Sequence, residues 1–247
     1  MSAELVEVIE VWKAFDGLPV LRGVSLTLTR GEIFVVMGGS GSGKTVLLRL
    51  IAGLLRPDRG QIRLFGRNIE RLREEDLLDL RRRLGYVFQG AALFDSLTVL
   101  DNVAYGLREH TRLGEGEIRE RVSHCLGLVG LNGDVLGLLP PALSGGMRKR
   151  VGIARALVNQ PEVMLFDEPT AGLDPTNARL VAELISQVRE GVCDTAIVVT
   201  HDLELTRAVA DRVTILIDGG FAALGPRDAV LASGDPAVQA FLAGEAR

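Results

Sequence analysis

The sequence predicts an α/β protein: a parallel sheet covered on both faces, an antiparallel β part ahead of it, and a block of helices inserted between strands. Three observations carry this. Apolar runs such as Ile33–Met37, Val163–Phe166 and Thr195–Thr200 are continuous rather than alternating, as strands buried on both sides must be. From residue 163 onward such runs alternate with helix-length stretches, and that alternation builds parallel sheets. Ahead of them, 91–159 shows helical spacing broken by Gly and Pro and no clear strand.

At 247 residues the chain fits one large domain able to bury a full core. It is 47% hydrophobic with a mean hydropathy of +0.24, yet no apolar run approaches the ~18 residues of a membrane span. No N-terminal segment joins a basic start to an apolar stretch, so no signal peptide is expected. Cys125 and Cys193 stand apart, without a CxxC or Cys/His pattern. They read as reduced thiols of a cytosolic protein rather than a bridge or metal site. A net charge of −4 and 4% aromatics argue against a nucleic-acid partner, which wants basic surface and stacking rings.

Taken in order, Leu5–Trp12, Val20–Leu28 and Ile33–Met37 read as consecutive strands. Short turns at Asp16-Gly17 and Arg30-Gly31 join them, which implies antiparallel pairing. Val46–Leu54 reads as a helix, Pro57–Gly60 as a turn and Gln61–Phe65 as a short strand. Leu72, Leu77, Leu78 and Leu80 give 70–83 a helical spacing, and Gly85–Phe88 is another strand, ending at Gln89. Further helices are expected over 176–189 and 203–210, and a strand over 213–217. A turn at Asp218-Gly219-Gly220 and short helices near 226–232 and 236–243 complete the chain. The domain reading is a single domain over 1–247. Its core and β part take 1–90 and 160–234, a helical subdomain takes 91–159, and 235–247 is a C-terminal extension.

Between the third strand and the first helix lies Gly38-Gly39-Ser40-Gly41-Ser42-Gly43-Lys44-Thr45, which matches G-x-x-x-x-G-K-[ST] in the context that pattern needs. The glycines let successive backbone N–H groups converge on phosphate oxygens at a helix start. Lys44 would bring a point charge to the β- and γ-phosphates, and Thr45 a hydroxyl ligand for Mg²⁺. Lys13, Lys44 and Lys149 are the only lysines beside 25 arginines. A compact ammonium and a planar guanidinium are not interchangeable at a phosphate, so a lysine at position 44 is informative.

Two further stretches turn a phosphate site into a machine. The apolar run Val163–Phe166 ends in Asp167-Glu168, and acids at a strand's C-terminal end sit where open α/β sheets bind ligands. Asp167 would hold the Mg²⁺ shell and Glu168 would polarise the attacking water. Leu143-Ser144-Gly145-Gly146-Met147 precedes an Arg-rich helix. Ser144 is a good N-cap, and the glycines leave N–H groups uncovered, so this is a second anion site. One chain needs a single γ-phosphate site, so the second is best explained by facing the phosphate loop of another subunit.

Together with Gln89, Pro169, Ala171-Gly172-Leu173-Asp174 and His201, these motifs resemble, in order and spacing over essentially the whole chain, the ATPase subunit of an ABC transporter. The resemblance implies a P-loop NTPase fold with a RecA-like parallel-sheet core, an N-terminal antiparallel β subdomain and an inserted α-helical subdomain. It implies a head-to-tail homodimer with two ATP molecules between phosphate loop and signature loop. Residues Gly38, Gly39, Ser40, Gly41, Ser42, Gly43, Lys44, Thr45 and Val46 would then bind the nucleotide. Ser144, Gly145 and Gly146 would bind the opposite γ-phosphate, and Asp174 would communicate across the dimer. Thr45, Gln89 and Asp167 would serve Mg²⁺, and Gln89 would also sense the γ-phosphate. Glu168, His201 and Lys44 form the catalytic set, His201 orienting the water and the phosphate.

Phe15 would stack on adenine in place of the frequent Tyr, a core residue being the other reading. The signature departs from the usual pattern by ending in Met147 instead of Gln. Within the family, Leu-Ser-Gly-Gly-Met, Val46 and the Asp235–Gly244 tail are similar to the ATPases of Mla-type phospholipid transporters that serve mammalian-cell-entry (MCE) proteins. That similarity implies membrane permease subunits, an MCE-domain lipid-binding protein, a small accessory subunit, and a place on the cytoplasmic face of the inner membrane. An importer ATPase for amino acids or similar solutes shares the same motors, and a soluble ABC ATPase of repair or translation is the third reading. Ala91, Ala92, Leu93, Phe94 and Leu97 form a candidate permease-coupling groove or, alternatively, subdomain core. The last helix, too short to be stable alone, is expected to dock on a partner or on the second ATPase.

Overall fold

The computed structural model describes residues 4–244, which fall into two compact units. Of these, one holds residues up to 81 together with those from 194, the other residues 82–193. Positions 245–247 of the expected C-terminal extension lie outside the described residues.

In the first unit, β1 (Glu4–Phe15) and β2 (Leu18–Thr29) make a hairpin. Asp16 (φ 49°) and Gly17 (φ 78°) form its turn, both left-handed as a tight I′ connection requires. With β4 (Arg59–Leu64) and β5 (Arg67–Asn68) they form an antiparallel sheet of order β2-β1-β4-β5. The third strand, β3 (Ile33–Gly38), was expected to join this sheet and does not. It runs parallel to β8 (Ala196–Thr200) on one side and β9 (Arg212–Ile217) on the other. All six of its residues are buried, so the physical reason is two-sided burial, which a half-exposed antiparallel sheet cannot supply.

An edge strand absent from the sequence reading, β10 (Gly220–Pro226), pairs antiparallel with β9. Asp218 and Gly219, both at positive φ, form the turn between them. The helices of this unit are α1 (Lys44–Ile51), α2 (Glu74–Arg81), α7 (Leu203–Val209), α8 (Arg227–Leu231) and α9 (Pro236–Leu242). Gly53 (φ 66°) stops α1, and Leu54 N–H reaches back to the Arg49 carbonyl at 2.8 Å, a Schellman closure. The helix expected over 70–83 is shorter: a 3-10 turn at Ile69–Arg71 ends at extended Leu72, and α2 starts at Glu74. Helix α9, expected to dock on a partner or on the second ATPase, packs on β10 of its own chain with Val238 wholly buried.

The second unit pairs β6 (Leu84–Val87) in parallel with β7 (Val163–Asp167). Its helices are α3 (Val99–His110), α4 (Glu115–Leu128), α5 (Gly145–Leu157) and α6 (Pro175–Gly191). The first three pack pairwise. Thr98, Ser144 and Asp174 cap α3, α5 and α6 through side-chain oxygens, each satisfying an otherwise orphaned N–H. Among the described residues no helix is long and apolar enough to cross a membrane.

Candidate nucleotide-binding and hydrolysis site

In the first unit the phosphate loop leaves β3 and enters α1. A Cβ on Gly38 would lie 2.6 Å from Ser42 Oγ and 2.8 Å from the Leu216 carbonyl. Gly43 has φ 106°, and its Cβ would meet Val20 at 2.9 Å. Only glycine fits either place. Lys44 is 5% exposed, and its ammonium donates to the carbonyls of Gly38 (2.8 Å) and Gly39 (2.9 Å). It curls over the loop it serves.

The start of α1 carries no side-chain cap and no acid in its first turn, so its positive dipole end is left for a ligand. Ser42 Oγ is buried without a hydrogen-bond partner. A buried orphan hydroxyl is costly, and a phosphate oxygen would satisfy it. The loop therefore fits a nucleotide's phosphates by shape, charge and unmet hydrogen bonding.

Ser40 and Gly41 are exposed, and Thr45 and Val46 are half-buried on the first turn. Residues Gly39–Ser42 line a cavity of about 440 Å³ together with Val20, Gly219 and Phe241 of α9. Phe15, at the end of β1, is 42% exposed, which rules out the core reading. Lys13 lies 5.3 Å from its ring centroid and pairs with Asp58 at 2.8 Å. His201 is exposed immediately after β8. The next residue, Asp202, caps α7 by accepting from Glu204 N (2.9 Å) and Leu205 N (3.0 Å), so His201 is carried on a fixed backbone.

In the second unit Asp167 and Glu168 end β7, and both are buried. Tyr86, stacked on Phe88 at 4.2 Å, points its hydroxyl at the Asp167 carboxylate, 3.4 Å away. Glu168 has φ +47°, a left-handed backbone that costs a non-glycine residue of order 1–3 kcal/mol. Lys149 on α5, 7% exposed, donates to the Glu168 carbonyl at 3.1 Å and to the Gln89 carbonyl at 2.5 Å. Burial pushes the Lys149 ammonium below its ordinary pKa, while Glu168 and Asp167 pull it back up. The Gln89 side chain itself is exposed.

At the start of α5, Ser144 Oγ accepts from Met147 N at 3.3 Å, with Ser144 and Gly145 exposed. Gly146 is buried, and a Cβ there would lie 2.6 Å from Asn177 Oδ1. Asn177 Nδ2 donates to Asp174 at 2.5 Å, and the other Asp174 oxygen accepts from Thr176 N and Asn177 N. These bonds, the Asn177 side chain first, hold the Asp174 carboxyl below the usual carboxylate range. Asn177 thus links Gly146 to Asp174, a role the sequence reading missed. The hint was Asp174-Pro175-Thr176-Asn177, a helix start in which a capping acid meets an amide three residues on.

The segment after Gln89 is pinned rather than loose. Arg155 donates to the carbonyls of Ala91 and Ala92 at 2.7 Å each. Asn102, wholly buried, bonds the backbone of Phe94, Leu97 and Thr98. Of the expected groove residues, Ala91 is buried and packs beside Gly152, while Leu93 and Leu97 are half-buried. Ala91 therefore belongs to the unit's interior, because its carbonyl and methyl both face α5. Ala92 and Phe94 line a groove of about 330 Å³ with Tyr86, Phe88 and Tyr105.

A phosphate-loop sequence between β3 and α1 in one unit and a Ser-capped, exposed Ser-Gly-Gly helix start in the other are the features of an ATP-binding cassette, the ATPase of the ABC class. A sequence profile of the ABC transporter family matches residues 21–171, and the chain belongs to that family. It is 41% identical over 242 residues to the intermembrane phospholipid transport system ATP-binding protein MlaF of Escherichia coli, covering 98% of this chain and 90% of that one. It is also 41% identical over 239 residues to the probable ribonucleotide transport ATP-binding protein mkl of Mycobacterium tuberculosis. The match takes in 97% of this chain but 66% of the mycobacterial protein's length, so the chain spans just under two thirds of that relative. Among solved structures it resembles the dimeric post-hydrolysis state of the ATP-binding cassette MJ0796 bound to ADP and Pi. There the TM-score is 0.82 at 32% identity, over 90% of this chain and 99% of that one.

Mg²⁺ fits this donor set by its chemistry. It keeps several waters and takes one or two protein oxygens plus substrate phosphates rather than an all-protein cage. Thr45, Asp167 and Gln89 each offer a hard oxygen of the kind Mg²⁺ accepts. No group of three or more acids, histidines and cysteines that could cage an ion occurs among the described residues.

Proposed function

We propose that this chain is the ATP-binding and ATP-hydrolysing subunit of an ABC transporter that powers phospholipid transport between the inner and outer membranes of a Gram-negative envelope. The observation that carries the motor is the capped, exposed Ser144-Gly145 start of α5. It is a second anion site in the unit that does not contain the phosphate loop. Two copies arranged head to tail would each close the other's nucleotide between Gly38–Val46 and Ser144–Gly146. Glu168, fixed at the end of β7, would take a proton from the attacking water, and His201 would orient that water and the γ-phosphate. Lys44 would trade its loop carbonyls for phosphate oxygens when the nucleotide arrives. Phe15, exposed at the end of β1, would stack on adenine.

The groove at Ala92, Phe94 and Tyr105, with the last two rings exposed and 5.1 Å apart, would receive a short apolar segment of the membrane permease. That contact would hold the subunit at the cytoplasmic face of the inner membrane. Mla-type partners would follow: an MCE-domain lipid-binding protein and a small accessory subunit. Three observations support the phospholipid cargo. They are the Met-ended signature, the Asp235–Gly244 tail, and a relative named for phospholipid transport that this chain spans to 90%. The relative named for ribonucleotide transport is spanned to 66%.

Purification of the tagged chain from its native membranes tests the reading. The expected result is a complex containing a permease, an MCE-domain protein and bound phospholipid. A complex with a soluble solute-binding receptor and no lipid would refute the cargo. Copurified ribosomes or DNA without a permease would refute transport altogether.

A further inference from the structure

Lys149 is a buried cation outside every recognised motif of this chain. Its ammonium joins two segments that are remote in sequence, 60 and 19 residues from it, by donating to the main-chain carbonyls of Gln89 and Glu168. These are the residues read here as the γ-phosphate sensor and the general base. Glu168 adopts a left-handed backbone, which persists only where the surroundings over-determine it. A hydrogen bond from a charged donor to its own carbonyl is such a constraint.

The same helix holds the Gln89 segment a second time, through Arg155 on the carbonyls of Ala91 and Ala92. The choice of cation is specific. Arginine outnumbers lysine 25 to 3 in this chain, yet a position 7% exposed with two carbonyls converging on it takes lysine. A compact ammonium directs several donors from one point, whereas a guanidinium spreads them in a plane.

We propose that Lys149 is a positioning residue for hydrolysis, fixing the backbone of Glu168 and Gln89 to the helix that begins with the signature Ser144. The consequence is mechanical. Whatever holds or shifts the start of α5 reaches the backbone of both the base and the sensor through Lys149, with Arg155 as a second hold on the Gln89 segment alone. Lys149 therefore contributes to turnover and not to nucleotide affinity. This rests on reading Glu168 as the base.

The test compares Lys149→Met, which keeps length and apolar bulk but loses the donors, with Lys149→Gln, which keeps an N–H donor. Lys44 and Glu168 stay untouched in both. Steady-state ATPase activity of the full chain should show kcat reduced roughly tenfold or more for Lys149→Met, since a displaced catalytic group costs that much or more. ATP affinity and melting temperature should stay near wild type, and Lys149→Gln should fall between. A kcat within about twofold of wild type in Lys149→Met overturns the proposal. So does a lower rate explained entirely by weaker ATP binding or a smaller folded fraction. If Lys149→Met does not fold, Lys149→Gln decides by the same criteria. Glu168→Gln run alongside separates the premise: wild-type turnover there removes the base, whereas lost turnover there with normal kcat in Lys149→Met removes only the role of Lys149.

Discussion

Lys44 and Lys149 are two nearly buried lysines that both donate to main-chain carbonyls, and the roles proposed for them are opposite. Each is nearly buried, at 5% and 7% exposure, and each spends two donors on main-chain carbonyls. The carbonyls that Lys44 holds belong to Gly38 and Gly39, six and five residues away in its own loop. They are local partners that a phosphate can displace. Those that Lys149 holds belong to two separate segments, so releasing them would loosen the segments from each other. On the proposed roles, Lys44 would give up local contacts to a ligand, and Lys149 would keep its two segments tied. The first should govern how tightly ATP binds, the second how fast it is cleaved.

Substitutions around the two lysines test this division. The largest effect is expected at Glu168, whose carbonyl Lys149 holds. Glu168→Gln should lower kcat by roughly 10²–10⁴, the usual range for a lost general base, with ATP affinity kept, as steady-state assays and nucleotide titration would show. Lys44→Ala should do the reverse. Losing a charge-assisted bond worth about 1.5–3 kcal/mol weakens ATP binding roughly 10–150-fold by calorimetry, and unchanged affinity would sink the loop assignment.

Phe15→Ala should weaken ATP binding by about 1–3 kcal/mol, the usual worth of one stacked base. Phe15→Tyr should leave it near wild type because stacking needs only the ring. Gly146→Ala should act on the Lys149 side. The new methyl would press on Asn177 Oδ1, where a Cβ lies at 2.6 Å, lowering thermal stability by about 1–3 kcal/mol. Turnover should fall with it, and ATP affinity of the single chain should not. Loss of affinity in Gly146→Ala would blur the division.

The phosphate loop was legible in the sequence because its chemistry is local: glycine spacing, one lysine, one hydroxyl, a strand before and a helix after. The Asp167-Glu168 strand end and the Ser144 cap were legible for the same reason. Lys149 was not, because its partners are backbone carbonyls, which carry no residue identity and are brought near only by folding. Asn177 was half-visible in its capping context, but its contact with Gly146 is tertiary.

The fold divides in the same way. Continuous burial of β3 was readable, yet the turn before it suggested an antiparallel neighbour, while its real partners, β8 and β9, lie 163 and 178 residues on. Strand β10 escaped because its residues alternate between half-buried and exposed and end in Pro226, the profile of an edge. The short length of α9 suggested a docking surface, and β10 of the same chain supplies one for Val238.

The central claim is that each nucleotide is held by two copies of the chain, one giving Gly38–Val46 and the other Ser144–Gly146. Sedimentation of Glu168→Gln with and without MgATP tests it most directly. The expected result is a monomer without nucleotide and, with MgATP, a dimer containing two ATP molecules that Ser144→Arg abolishes while ATP still binds. A Glu168→Gln chain that stays monomeric when saturated with MgATP would contradict it.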